Sequence, residues 1–436
     1  MKIIINDNKG DLIDELIVPD IDEINNLGNE EEDFNGFLNP SYCKTFRDTI
    51  NSSPIFYRDP NYLMQYNLCC AVMDRLDTCV RKLNTYDDYP KTEEEFLEFM
   101  MFASMVVDAV KEILDQLGVH DKKANVYDSE EDYKYFLQIY RTSKIYNKDV
   151  EEITDDKFFG YFRSLSFAHP VETSRYKFIQ KNEIQYSPWV IVNRIATTLQ
   201  GYTDGVGIRI YSSINNDTID LIIPFKNLKE YIQSRYKRIE LATKWAEKQI
   251  ELARAKWGKH KVNRSQESVE VLKDIVDTLD SRYEQSYPIK ELLLYMKCEL
   301  TDERNRQSVG LYKKAIVDVL PQICDAVDMM DYNLMSELCN DLNDLPKKIH
   351  ETAWYQIEKI FCNLGDNSTA QSYYNIEWGL IQAQAFYEDF AKKWVYIDSY
   401  RMPHIEIQLL VRTACFLEKF EQEKEMVIMK GEIKDA

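Results

Sequence analysis

The residues of this chain best suited to chemistry gather in segment 157–175, KFFGYFRSLSFAHPVETSR, where five residues separate Arg163 from His169. A guanidinium holds a phosphate through paired N–H donors, and an imidazole moves a proton near neutral pH. Together they could bind a phosphodiester and assist its cleavage. Pro170 follows His169 directly and forces the chain out of helical geometry where the imidazole sits, so both side chains could face one cleft. Two hydroxyls, Ser164 and Ser166, lie between them, and a second phosphate-capable set, Glu172, Thr173 and Arg175, comes just after the break.

The elements around this segment read as helices. Apolar positions Leu63, Met64, Leu68, Ala71, Val72, Leu76 and Val80 recur at three- and four-residue steps and predict an amphipathic helix over 61–83. A second helix over 92–117 opens on TEEE, a capping-box order, and stops at Gly118; its run FMMFASMVVDAV is apolar nearly all round and should be the most buried of its bundle. Further helices are expected over 129–144 and over 155–168, the last carrying Arg163. Four successive helices with short connections make a bundle.

Beyond it the period changes. In GVGIRIYSSINNDTIDLIIPF, Ile208 and Ile210 alternate with Arg209 and Tyr211, and Asn215, Asn216 and Asp217 turn the chain into Ile219, Leu221 and Ile223. This predicts a β-hairpin, which needs helices or a third strand to be stable, such as the β-prone run 2–6. A single helix is expected over 227–257, about 45 Å long, followed by helices over 269–282, 289–298, 308–330, 334–342, 349–364 and 378–420. The fold class is mainly α: helical bundles with a small β-hairpin insertion and a short N-terminal strand. The implied domains are 1–45, a strand and acidic arm; 46–178, the bundle; 179–264, the hairpin and long basic helix; and 265–436, a C-terminal helical domain.

Composition narrows the function classes. Abundant tyrosine (29) and phenylalanine (19) with scarce glycine (13) and proline (12) favour long helices over a loop-rich sandwich. The nine cysteines are scattered, form no C-x-x-C pair and read as reduced thiols. No secretory leader and no apolar stretch of membrane-spanning length are visible, so a cytoplasmic protein is expected. No two histidines lie at i, i+4, His120-Asp121 lacks the further ligands of a metal phosphohydrolase, and neither a Gly-rich phosphate loop nor a G-x-S-x-G elbow occurs. A metal site, a nucleoside triphosphatase and a serine hydrolase are all disfavoured.

The net charge of −20 argues against general coating of nucleic acid. Its distribution qualifies this, because stretch 226–264 carries twelve Lys or Arg against four Glu, whereas 1–36 carries eleven Asp or Glu against two Lys. Lys237, Arg238, Lys244 and Lys248 are therefore candidate nucleic-acid contacts, with Tyr231, Tyr236, Trp245 and Trp257 as stacking surfaces for unpaired bases. Alternatively, the basic helix is an intramolecular partner for the acidic arm at Glu30 to Asp33.

The bundle over roughly 55–178, with Arg163 and His169 as an R-x5-H motif near the end of its last helix, resembles the HEPN superfamily, whose nuclease members carry R-x4-6-H. The resemblance implies RNA cleavage without metal or other cofactor, homodimers that unite two motifs, and a place in prokaryotic defence or stress response. In the expected mechanism Arg163 with Arg175 holds the scissile phosphate while His169 protonates the leaving 5′ oxygen as a neighbouring 2′ hydroxyl attacks, giving a cyclic phosphate. The alternative is a non-enzymatic protein-binding or inhibitor protein with an acidic surface that mimics nucleic acid.

Overall fold

In the computed structural model of the protein, the described residues are 2–6, 12–17, 36–86, 88–119, 133–149, 153–171, 179, 183–192, 194–199, 201–214, 216–365 and 373–432. They form a mainly α protein that divides into two compact units, Met1–Leu252 and Ala253–Ala436.

The first unit begins with strands β1 (Lys2–Asn6) and β2 (Leu12–Ile17), paired antiparallel with Lys2 opposite Ile17. The expected pairing of run 2–6 with the later hairpin is thus replaced by a local one, whose short connection costs less closure entropy. The acidic arm at Glu30 to Asp33 lies outside the described residues. Helices α1 (Ser41–Asn51) and α2 (Pro54–Arg58) lead into α3 (Leu63–Leu83) and α4 (Glu93–Gln116), which pack against each other. The expected helix forms as α3, but its buried face is Cys69, Met73, Leu76, Cys79, Val80 and Leu83. Of the expected stripe only Leu76 and Val80 are buried, while Leu63, Met64 and Ala71 are exposed, because the tertiary contacts select a face rotated from the one the aliphatic spacing suggests. In α4 the Thr92 hydroxyl accepts from the Glu95 amide at 3.2 Å, Glu93 to Glu95 complement the positive end of the dipole, and ten residues from Phe96 to Leu114 are buried.

The helix expected over 129–144 is only α5 (Leu137–Thr142) among the described residues. The physical reason lies just upstream, where the amides of Lys134, Tyr135 and Phe136 donate to the Asp155 carboxylate at 2.8–3.2 Å. They form a turn around an anion instead of a helical ladder. Helix α6 (Asp155–Arg163) follows and runs into a π-helical turn, Ser164–Ala168.

Strand β3 (Gln185–Ile191), helix α7 (Arg194–Leu199), and strands β4 (Gly205–Ser212) and β5 (Ile219–Pro224) come next. The expected hairpin is β4–β5, and β3 completes an antiparallel sheet of order β3-β4-β5. Ile208, Ile210, Leu221 and Ile223 point into the core, while Arg209 and Tyr211 lie on the outer face. Gly207 lets the central strand approach β5 closely, since a Cβ there would sit 2.4 Å from the Leu221 carbonyl oxygen.

The long basic helix is two helices, α8 (Phe225–Lys237) and α9 (Ile239–Trp257). The Arg238 amide bonds back to Arg235 with the tighter i→i−3 spacing, at 3.3 Å, and so ends α8 without glycine or proline. The division between the two units falls within α9.

The second unit is helical: α10 (Ser268–Ser281), α11 (Tyr287–Lys297), α12 (Arg306–Met329), α13 (Tyr332–Asn343), α14 (Ala353–Leu364), α15 (Tyr373–Asp389) and α16 (His404–Glu432). Helix α12 packs on α13 and α16, and α14 on α15, around Leu272, Ile316, Ile323, Ile360 and Leu410. The helix expected over 378–420 is interrupted between α15 and α16, where Pro403 cannot supply a ladder N–H. No described helix is long and apolar enough to cross a membrane.

Candidate active site

Helix α6 carries Arg163, and its position is fixed from both ends. At its start the Thr154 hydroxyl accepts from the Lys157 amide at 3.3 Å. Asp155, fully buried, gathers the three amides of 134–136, and Asp156 accepts from the Tyr231 hydroxyl at 2.6 Å and from Arg235 Nε at 2.7 Å on α8. Burial drives the Tyr231 hydroxyl well above its ordinary value, so it remains a donor to Asp156. Along the middle, Phe158, Phe159 and Phe162 are buried against Phe136, Tyr231 and Phe96, with ring centroids 4.8–6.0 Å apart. At the far end Tyr161 donates to the Gln185 side chain of β3 at 2.6 Å.

This anchoring makes a testable statement about pH. Burial pushes the Asp155 carboxyl up to about 6, against the opposing pull of the three amides and Arg235. The folded chain therefore binds this proton more tightly than the unfolded chain, whose aspartates titrate near 3.9. The stabilisation is fully present below about pH 4 and is lost as pH rises through 6. Urea midpoints measured between pH 4 and 7 should show this falling component, and Asp155→Asn should remove it; an unchanged slope in the variant would show that other groups carry the pH dependence.

After Arg163 the helix widens. The His169 amide donates to the Ser164 carbonyl at 2.7 Å, an i→i−5 bond, and the Ser166 hydroxyl donates to the Phe162 carbonyl at 2.7 Å, a side-chain bond of the kind that bends helices. His169 then leaves helical geometry (φ −143°, ψ 60°) as the residue before Pro170, where the sequence places the break. The Pro170 carbonyl accepts the Ser187 amide of β3 at 2.7 Å, so the exit from the π turn is tied to the sheet.

His169 is exposed at this corner. The Arg163 side chain is 27 % accessible and its Nη1 lies 2.6 Å from Asp108 Oδ2 on α4, a carboxylate that is itself 62 % accessible. Arg175, with Glu172 and Thr173, lies outside the described residues. Asp108 is the residue that sequence reasoning missed, although a signal exists: it is the one charge in the run FMMFASMVVDAV. Asp155, Asp156 and Arg235 gave no local signal, since their partners are 19 to 79 residues away.

The basic candidates fall on both sides of the break at Arg238. Lys237, Arg238, Lys244 and Lys248 are each half-buried, and Lys248 pairs with Glu251 at 3.2 Å. Burial raises the Glu240 carboxyl, while Lys237 and Lys244 pull it down. Tyr231, Tyr236 and Trp245 are core residues rather than exposed stacking surfaces. Arg235 is buried too, so part of the positive charge counted in the sequence is spent inside the fold.

Among the described residues no three His, Cys, Asp or Glu side chains converge as a metal would require. Comparison of the chain with protein-family models, with curated proteins and with solved structures finds no match.

Proposed function

We propose that the N-terminal unit cleaves RNA without a metal: the neighbouring 2′ hydroxyl attacks the phosphorus held by Arg163 and gives its proton to water, while His169 as general acid protonates the departing 5′ oxygen. The observation that carries this reading is the π-helical turn between them, which ends on an exposed imidazole; widened turns of this kind concentrate at functional sites. Arg175 adds a second phosphate contact, and Lys237, Arg238, Lys244 and Lys248 supply cationic contacts to the RNA backbone. On this reading the protein is HEPN-like, pairs two such sites in a homodimer, and serves prokaryotic defence or stress response. Nine free thiols fit a reducing, cytoplasmic setting.

One observation favours the second reading, a non-enzymatic protein-binding or inhibitor protein: Asp108 already occupies the Arg163 guanidinium. The two readings separate on Asp108→Asn. If Arg163 is a phosphate ligand, the substitution releases it and should tighten RNA binding about two- to fivefold, the range expected for losing an exposed competing ion pair. Binding isotherms at fixed salt measure this. Unchanged or weaker binding would favour the interaction protein.

A further inference from the structure

The outer face of the three-stranded sheet carries flat groups where a solvated sheet ordinarily presents small polar ones. Tyr186 and its register partner Tyr211 lie with ring planes 7° apart and centroids 6.0 Å apart, and Trp189 meets Tyr211 edge-on at 6.3 Å. Tyr186 is 37 % and Trp189 52 % accessible. Residues three apart on a regular strand face opposite ways; here the register shifts between Tyr186 and Trp189, and both emerge on the solvent side. Arg209, opposite Trp189, shares the face, and Asp220 holds its guanidinium through two bonds at 2.7 and 2.8 Å. That pair neutralises the carboxylate and fixes a planar cation beside the rings.

Protein partners are usually gripped by side chains seated in pockets. Rings and a guanidinium set along two strands fit planar ligands, because any base can stack on an aromatic or guanidinium face. The face also adjoins the candidate site. The bond from the Ser187 amide to the Pro170 carbonyl lies one residue from Tyr186 on one side and one residue from His169 on the other. We propose that Tyr186, Trp189, Tyr211 and Arg209 form a stacking platform for the unpaired bases of single-stranded RNA, next to the phosphodiester presented to His169. The choice of RNA rests on the function proposed above; the platform itself rests on ring geometry.

The test uses the full-length chain carrying His169→Ala, so that RNA is bound but not cut, with a labelled oligouridine of about twelve nucleotides and a duplex of equal length as probes. Oligouridine should bind and the duplex should bind far more weakly. Trp189→Ala and Tyr211→Ala should each lower oligouridine affinity on the order of 10- to 100-fold, while Tyr211→Phe, which keeps the ring, should stay close to the parent. Alanine variants that melt like the parent and bind oligouridine equally well would overturn the platform, as would a failure of the parent to bind it. The two ideas fail separately: cleavage that requires His169 but ignores the platform variants removes only the platform, and platform-dependent binding by a protein with intact His169 that never cuts removes only the nuclease.

Discussion

Replacing His169 by alanine should lower the metal-independent RNA cleavage proposed above by roughly 10²- to 10⁴-fold, the contribution of a positioned general acid or base. The melting temperature should barely move, because the exposed ring adds little to the core. Activity of the parent should persist in EDTA, since the proton comes from a side chain and the phosphate charge is met by Arg163. On the proposed chemistry the first product should carry a cyclic phosphate, because the attacking oxygen would be the neighbouring 2′ hydroxyl. Cleavage that needs magnesium, or that survives the substitution unchanged, would sink this chemistry. Arg163→Lys provides a second reading: a lysine keeps the charge but loses the planar pair of donors, so it should rescue affinity more than rate.

Replacing Arg235 by methionine destabilises the first unit by about 3–5 kcal/mol, the usual cost of removing one partner from a buried charge pair. Arg235 is almost wholly enclosed, bonds Asp156 at 2.7 Å and lies over the Tyr231 ring at 4.8 Å, so its loss strands a carboxylate against a buried phenol. For a unit of this size the melting temperature should fall by roughly 6–20 °C. The double replacement Arg235→Met with Asp156→Leu should recover much of that loss, because it removes the stranded charge. If the single variant melts like the parent, the pair does not anchor α6, and the placement of Arg163 must come from the aromatic packing, the amides gathered by Asp155 and the Tyr161–Gln185 bond.

The parts of this architecture that were legible in the sequence are those set by local pattern. The helical run of α3, though not its buried face, the Thr92 cap of α4, the alternation of β4 and β5, and the stop at Pro170 each depend on residues within a few positions of one another. The parts that were not legible depend on distant partners or on departures from regular geometry. Strand β3 was hidden because Pro188 argues against a strand and the irregularity beside it breaks the two-residue period. Of the helix expected over 129–144, residues 129–132 lie outside the described residues, and 134–136 are not helical because a carboxylate from residue 155 takes their amides. Helices α8 and α9 share one apolar stripe, so periodicity runs through the break at Arg238 unseen. At the candidate site the spacing of Arg163 and His169 was readable, but Asp108, 55 residues upstream, was not assigned to it.

The π turn changes what counting residues between Arg163 and His169 means. Each of its hydrogen-bonded rings encloses one residue more than an α-helical ring, so the turn absorbs a residue that a regular helix would have no room for. A chain one residue shorter across Ser164–Ala168 could close the same carbonyls in α-helical fashion and still deliver a histidine to the corner tied to β3. Separation along the chain is then a loose measure of separation in space, and insertions and deletions here can be traded against helix type without moving the reactive groups. Relatives of this protein should be sought by the pair of ends, the Asp108-held arginine and the histidine before a β3-bound proline, rather than by a fixed number of residues between them.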